Sequence, residues 1–335
     1  MKVLIAGGAG FIGSTIASAL LDAGHQPVIL DNLVTGRREF AAGRPFYEGD
    51  IADQTVLDSI FDEHPDISAV VHCAALIVVP ESVAQPIHYY RENVAKTLEL
   101  IDRLIARGVT RLVFSSSASI YQPNDEFSVD ESSALAASSP YARTKLVVEQ
   151  MLTDIAAATP LRVLSLRYFN PIGADPKMRT GLQIAAPSHA LGKLIEAHRD
   201  GVPFRVTGVD YPTRDGSGIR DYVHVWDLAG AHLRALEVFD TLFADDLRYE
   251  VINLGTGAGT TVFELVEAFN QVVDVPVPVE RGTRRPGDQA GAYTRSSRAA
   301  DLLGWRAEHS VADGIRDTLA WFAQRDRVLP DLAGL

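Results

Sequence analysis

The sequence predicts an α/β protein with a doubly wound parallel sheet of Rossmann type and a smaller C-terminal α/β lobe. Three observations carry that expectation. The chain opens on Lys2-Val-Leu-Ile-Ala6, a short apolar run closed by glycines at 7, 10 and 13. Apolar runs of strand length then alternate with segments of helical period, which is the rhythm of βαβ units. An acid, Asp31, ends the second run close to the offset at which dinucleotide folds hold an adenosine ribose.

Each element follows in order. Lys2–Ala6 is the first strand, and Phe11 to Leu21 carries apolar residues at helical spacing. Between them Gly7 permits a tight turn, Gly10 lets the backbone approach a pyrophosphate, and Gly13 allows close helix packing. The helix N-terminus adds unpaired N–H groups and a positive dipole for the phosphates. Pro27-Val-Ile-Leu30 is the second strand. A carboxylate at Asp31 accepts from ribose hydroxyls and repels a 2′-phosphate, which favours NAD over NADP; Arg37 and Arg38 follow and leave room for the other reading.

Further on, Ala69–His72, Arg111–Ser115 and Leu161–Leu166 read as strands, and Asn93–Ala106 and Tyr141–Ala158 as helices. Ligands in such sheets bind beyond the carboxyl ends of the strands, where Asp50-Ile51, Cys73-Ala-Ala75 and Ser115-Ser-Ser117 fall. Residues 1–169 are thus expected to form the dinucleotide-binding domain, with return segments near 222–255, and 170–335 mainly a substrate-binding lobe. In that lobe Tyr222–Trp226 and Tyr249–Asn253 read as strands and Val311–Phe322 as a closing amphipathic helix.

At 335 residues, 47% of them apolar, the chain can bury a sizeable core. Its formal charge of -12 argues against a nucleic-acid binder. The single cysteine, Cys73, forms no internal disulfide and no multi-cysteine metal site, which suits a reducing compartment. Ile67 to Val79, the longest apolar stretch, contains His72 and falls short of the ~20 residues of a membrane helix. Met1 to Gly13 makes a poor signal peptide. The expectation is a cytoplasmic protein with no membrane span. His224 stands without a second ligand at a metal-like spacing, so it reads as structural and no metal is expected.

The chemistry concentrates in Tyr141-Ala-Arg-Thr-Lys145. Residues four apart share a helix face, so a phenol and an ammonium would meet one point in space, and a nearby cation favours the phenolate. In the second lobe Arg220 and Arg285 are candidates to grip a pyrophosphate, with Asp288 accepting from a ribose hydroxyl.

These motifs, with Asp31-Asn32-Leu33, Gly49-Asp50-Ile51, Tyr90 with Asn93, Phe114-Ser-Ser-Ser-Ala118, Ser139-Pro-Tyr-Ala-Arg-Thr-Lys145, Leu166-Arg-Tyr-Phe-Asn-Pro171, Asp210-Tyr-Pro-Thr213 and Gly218-Ile-Arg-Asp-Tyr-Val-His224, resemble the extended short-chain dehydrogenase/reductase family over nearly the whole chain. Within that family the match is to enzymes that invert C4 of UDP-hexoses. The resemblance implies NAD contacts at Gly7, Gly10, Phe11, Ile12, Gly13, Asp31, Asn32, Leu33, Thr35, Gly36, Asp50, Ile51, Cys73, Ala74, Ala75, Asn93, Ser115, Tyr141, Lys145, Tyr168 and Phe169. It implies a catalytic group of Ser117, Tyr141 and Lys145, and substrate contacts at Ser117, Tyr141, Asn170, Arg220, Arg285 and Asp288. A homodimer through helices near Asn93–Ala106 and Leu146–Ala158 is also implied.

Dehydratases and decarboxylases of the family place acids after the serine, and here stand Ala118 and Ser119. The reaction so implied is oxidation and re-reduction of UDP-glucose or UDP-galactose through a 4-keto sugar. UDP-N-acetylhexosamine or UDP-glucuronate are the alternative substrates, and a nucleotide-sugar sensor is the alternative outside enzymes. Two departures bear on this reading. Leu76-Ile77-Val78-Val79 lacks the lysine many of these epimerases carry, and Gln183-Ile184 replaces a frequent Asn-Asn pair. One extra residue separates Asp288 from Tyr293, which leaves open whether Tyr293 reaches the sugar.

Overall fold

A computed structural model describes residues 1–244, 246–284 and 289–332. The N-terminal part runs β1 (Lys2–Ala6), α1 (Phe11–Asp22), β2 (Gln26–Asp31), β3 (Phe46–Glu48), α2 (Gln54–Glu63), β4 (Ile67–His72), α3 (Val79–Ala84), α4 (Pro86–Tyr90), a π-helical turn at Arg91–Ala95, α5 (Lys96–Ala106), β5 (Arg111–Ser117), β6 (Ser128–Val129), α6 (Pro140–Ala158) and β7 (Arg162–Tyr168). It continues with β8 (Asn170–Ile172), α7 (Ala190–Asp200), β9 (Phe204–Thr207), β10 (Ile219–Arg220), β11 (Tyr222–His224), α8 (Val225–Glu237), α9 (Phe239–Leu242), β12 (Tyr249–Leu254), β13 (Thr260–Thr261), α10 (Val262–Asn270), β14 (Val279–Gly282), β15 (Tyr293–Thr294), α11 (Arg298–Leu303) and α12 (Val311–Val328).

Seven strands form one sheet in the order β12-β7-β5-β4-β1-β2-β3, and every pairing in it is parallel. The strand order reverses between β1 and β4, which opens a crevice at their carboxyl ends. Side chains alternate across the sheet as the pleat requires. Val3 and Ile5 join Ile16, Leu20, Leu228 and Leu236 on one face, while Leu4 and Ala6 join Leu57, Leu100, Leu104 and Val148 on the other. Helices therefore cover both faces, and the sheet strands read as continuous apolar runs for that reason. Among these strands, the short β3 is absent from the sequence reading.

The second lobe has its own core of Leu191, Leu194, Phe204, Val206, Leu265, Phe269 and Ile315. Two later strands pair back with earlier ones, one in the main sheet and one in a separate two-stranded sheet. β12 returns to the main sheet beside β7, and β11 lies parallel to β8. One boundary differs from expectation: the strand at Tyr222 stops at His224, because the His224 side chain accepts from the Trp226 N–H and caps α8. Val225 and Trp226 therefore begin a helix. A second difference lies at Asn93, which sits in the π-helical turn before α5 rather than in a regular helix. No helix among the described residues is long and apolar enough to cross a membrane.

Candidate active site

The loop after β1 is built as its glycines require. Gly7 has φ +80° and a Cβ there would lie 2.5 Å from the Ala74 nitrogen. At Gly13 a Cβ would lie 2.3 Å from the Gly7 carbonyl oxygen, so α1 can start against the turn only with glycine. Gly10 is different: on the protein side its Cβ would meet only the Gly7 oxygen, at 3.5 Å, and its open side lines the crevice. This cradle fits a dinucleotide pyrophosphate at the N-terminus of α1.

Asp31 closes the same loop from the end of β2. One carboxylate oxygen accepts from the Ala9 N–H at 2.9 Å and the other from the Leu33 N–H at 2.8 Å. Burial pushes its carboxyl above the usual range, and those two hydrogen bonds oppose the shift. Asp31 also helps line the crevice wall. Leu33 and Gly36 do not line that wall: Leu33 packs against the core, and Gly36 seats under the Asp31 carboxylate.

The crevice widens into a cavity of about 1720 Å³ between sheet and second lobe. Phe11, Ile12, Asn32, Thr35, Asp50, Ile51, Cys73, Ala74, Ala75 and Asn93 line it, as do Ser115, Ser117, Tyr141, Lys145, Tyr168, Phe169, Asn170 and Arg220. Arg285 and Asp288 lie outside the described residues. Tyr293 pairs with Ser128 and packs over Gly259, away from the cavity, whereas its neighbours Gly291 and Ala292 are on the wall.

At the centre, β5 delivers Ser115 and Ser117 and the first two turns of α6 deliver Tyr141 and Lys145. Ser139 caps that helix and Pro140 occupies its first turn, which fixes where it begins. The Ser117 hydroxyl bonds that of Ser119 at 2.9 Å and also reaches Tyr141. Lys145 donates to the Ser115 carbonyl at 2.7 Å and lies 4.9 Å from the centre of the Phe114 ring.

Here the sequence reading needs correction. Burial pushes the Tyr141 phenol up, and the Ser117 hydrogen bond opposes this. The Lys145 ammonium donates to the Ser115 carbonyl of β5, a partner that the helical spacing alone does not reveal. Lys145 is itself pulled down to about 8 by burial, with Cys73 and Glu149 opposing.

The predicted departures find structural roles. Gln183 donates its amide N–H to the Thr35 carbonyl at 2.9 Å, tying the second lobe to the cofactor side. Leu76 is held by Asn93, whose amide oxygen accepts from Leu76 N–H at 2.8 Å and whose nitrogen donates to the Leu76 carbonyl at 2.9 Å. Asn93 also donates to Thr144 on α6 at 3.0 Å, so its side chain braces the wall. Arg220 donates to the carbonyls of Ile219 and Ala290.

Sequence reasoning missed Lys96, which bridges Asp50 and Glu92 at 2.6 Å each on the wall; its position four residues after Glu92 was the available signal. His224 stacks on His309 at 4.4 Å and bonds Asp317 at 3.1 Å. No group of three or more His, Cys, Asp or Glu among the described residues is placed to hold a metal ion.

Comparison with known proteins agrees with this geometry. The chain is 42% identical to a UDP-glucose 4-epimerase of Rhizobium leguminosarum bv. trifolii, over 97% of this chain and 98% of that protein. It superposes with TM-score 0.91 at 39% identity on a UDP-glucose 4-epimerase from Stenotrophomonas maltophila with bound NAD and formylated UDP-arabinopyranose, covering 98% of this chain and 99% of that one. A UDP-glucose 4-epimerase from Bifidobacterium longum in complex with NAD+ and UDP superposes with TM-score 0.89 at 33% identity, over 98% and 100% of the two chains. The NAD dependent epimerase/dehydratase family model matches residues 3–255, which span the glycine loop, the serine strand and the tyrosine helix. With the fold, the crevice and the match all in register, the chain belongs to the NAD dependent epimerase/dehydratase family.

Proposed function

We propose that this protein is an NAD-dependent 4-epimerase that interconverts UDP-glucose and UDP-galactose through a 4-keto sugar. One observation carries the reading: Ser117, Tyr141 and Lys145 share a single cavity with the glycine loop, and the residues after Ser117 are Ala118 and Ser119. Without an acid there, no extra proton carrier stands ready for elimination chemistry. The relatives bound to NAD, UDP or a UDP-sugar support the same ligands here.

NAD, when bound, accepts and returns the hydride at C4. The chain's residues do the rest. Asp31 and the turn at Gly7–Gly13 orient the dinucleotide, and Asp31 selects against a 2′-phosphate. Tyr141 takes the proton of the C4 hydroxyl and gives it back, while Ser117 bonds the C4 oxygen. Lys145 supplies positive charge beside them. Arg220, with Asn170 and with Arg285 and Asp288 by resemblance, holds the UDP. Firm contacts to the nucleotide and loose ones to the sugar allow the 4-keto ring to turn, so that C4 is reduced from its other face.

Exposed Ile87 on α4 and Leu98 on α5 support a homodimer, which light scattering tests. We read the protein as cytoplasmic, in keeping with its single thiol. The deciding experiment incubates the purified chain with NAD and a panel of UDP-glucose, UDP-galactose, their N-acetylhexosamine counterparts and UDP-glucuronate. Conversion between UDP-glucose and UDP-galactose without net NADH is expected. Failure to convert any member of the panel overturns the reading.

A further inference from the structure

One turn beyond Lys145 on α6, and on the same face, stands a carboxylate that the proposed mechanism does not use. Glu149 is buried with Arg167, each side chain 5% exposed. Its two oxygens take Arg167 Nη2 at 2.6 Å and Arg167 Nε at 3.0 Å, in the forked geometry that gives an arginine–carboxylate pair its direction. The oxygen facing Nε also accepts from the Ser116 hydroxyl at 2.5 Å. Ser116 lies between the two serines whose neighbouring faces build the site. On the far side, Arg167 donates to the Tyr121 hydroxyl at 2.9 Å and lies 5.0 Å from the centre of that ring, and Tyr121 in turn donates to Asn253 at 2.6 Å. Tyr121 is on the cavity wall.

We propose that Glu149 is a positioning residue for the reaction: it locks the carboxyl end of β5, with Ser115 and Ser117, against the helix that carries Tyr141 and Lys145, and through Arg167 it sets Tyr121 on the cavity wall. The proposal rests on the function proposed above. Burial alone does not explain the arrangement, since a buried ion pair contributes little net stability over a well-packed apolar pair. Rigidity explains it better. The serine hydroxyl and the phenol meet substrate from two different elements, and a displacement of about 1 Å between them costs on the order of 100-fold in rate. Glu149 ties those elements at the one residue between the active serines.

The carboxylate also acts on charge. Lys145 is faced by Glu149 from α6, by the Phe114 ring and Ser115 carbonyl from β5, and by His72 and Cys73 from the end of β4. Burial pulls Lys145 down to about 8, and Glu149 is among the groups that hold it up. Loss of Glu149 therefore lets Lys145 give up its proton at lower pH.

The test replaces the ion pair by a neutral pair of similar volume, Glu149→Gln with Arg167→Met, alongside Ser116→Ala and the unaltered protein. If positioning is the role, the double variant melts near the parent while kcat falls about 10-fold or more, KM for the UDP-sugar changes less than about 3-fold, and the alkaline limb of the pH–rate profile moves to lower pH. Ser116→Ala, which removes a single hydrogen bond, should lower kcat about 3-fold with an unchanged melting temperature. A double variant with the parent's kcat and pH profile overturns the proposal. Should the double variant not fold, Ser116→Ala decides, and parental kcat there overturns it. If the unaltered protein converts no UDP-sugar, it is the proposed function that fails instead.

Discussion

Asp31 and Asp221 do similar work in the two halves of the molecule. Each is buried, each carboxyl is pushed up by that burial, and each organises a loop by accepting main-chain N–H groups. Asp31 takes Ala9 and Leu33; Asp221 takes Thr256 at 2.7 Å, Gly257 at 3.2 Å and Thr294 at 3.2 Å. Each even rests on a glycine, since a Cβ at Gly36 or Gly255 would lie 2.5 Å from the carboxylate. The difference is reach. Asp31 ties residues of one βαβ unit, whereas Asp221 ties strands separated by much of the second lobe. A local anchor presents a cofactor loop in a fixed pose, while a remote anchor holds the substrate lobe to the sheet.

Chemistry and anchoring separate most sharply at Tyr141. Tyr141→Phe removes the proton carrier and touches neither anchor, so kcat should fall at least ~100-fold with little change in melting temperature. Initial rates with UDP-galactose and a thermal melt check both halves of that statement. A variant that lost stability as well would show that the phenol belongs to the scaffold.

Next in size is Gly7→Ala. The new Cβ would lie 2.5 Å from Ala74 N, at a φ of +80°. Strain of about 1–3 kcal/mol should appear in the melt, and NAD affinity, read by fluorescence titration, should weaken with it. Unchanged NAD binding would break the link between the local anchor and the cofactor.

Asp221→Asn and Asp31→Asn then compare the anchors directly. An amide keeps one acceptor and turns two donors on N–H groups that had bonded a carboxylate, at a cost of about 1–3 kcal/mol. Asp221 serves more donors, so its variant should lose more stability and Asp31→Asn more NAD affinity. Equal losses in both measurements would erase the distinction between local and remote anchors.

That distinction also decides what could be read in the chain. The glycine turn, Asp31, the alternation of the first seven elements and the Tyr141–Lys145 spacing all follow from contacts near in sequence, and periodicity or offset reveals them. The partners of Gln183, Asn93 and Glu149 lie 148, 17 and 18 residues away, and no period encodes them. Even at Tyr141 and Lys145 the spacing gave the shared face but not the direction of the ammonium, because the Ser115 carbonyl that captures it belongs to another strand. His224 shows the same limit at an element boundary: alternation continues a strand through Trp226, and only the cap seen in three dimensions stops it.

The smallest effect expected is also the one whose sign separates exposed carboxylates from buried anchors. Asp313 shares a capping box with Ser310 at the start of α12, accepting from the Ser310 N–H at 2.8 Å and hydroxyl at 2.5 Å. Those bonds, with the Arg316 guanidinium, hold its carboxyl down at about 2. A carboxyl depressed in the folded state stabilises above its unfolded value of 3.8 and loses that stabilisation as pH falls toward about 2. Asp313→Ala should therefore cost about 1 kcal/mol or less at pH 7. Because the side chain is 38% exposed, solvent screening keeps the effect small, and by pH 2 variant and parent should melt together. Asp221 runs the other way. Its carboxyl is raised, so protonation relieves the buried charge, and acid should widen the stability difference from Asp221→Asn by helping the parent. Melting curves of the two variants from pH 7 to 2 would distinguish these routes, and a gap for Asp313→Ala that did not close with acid would show that its cap works through shape rather than charge.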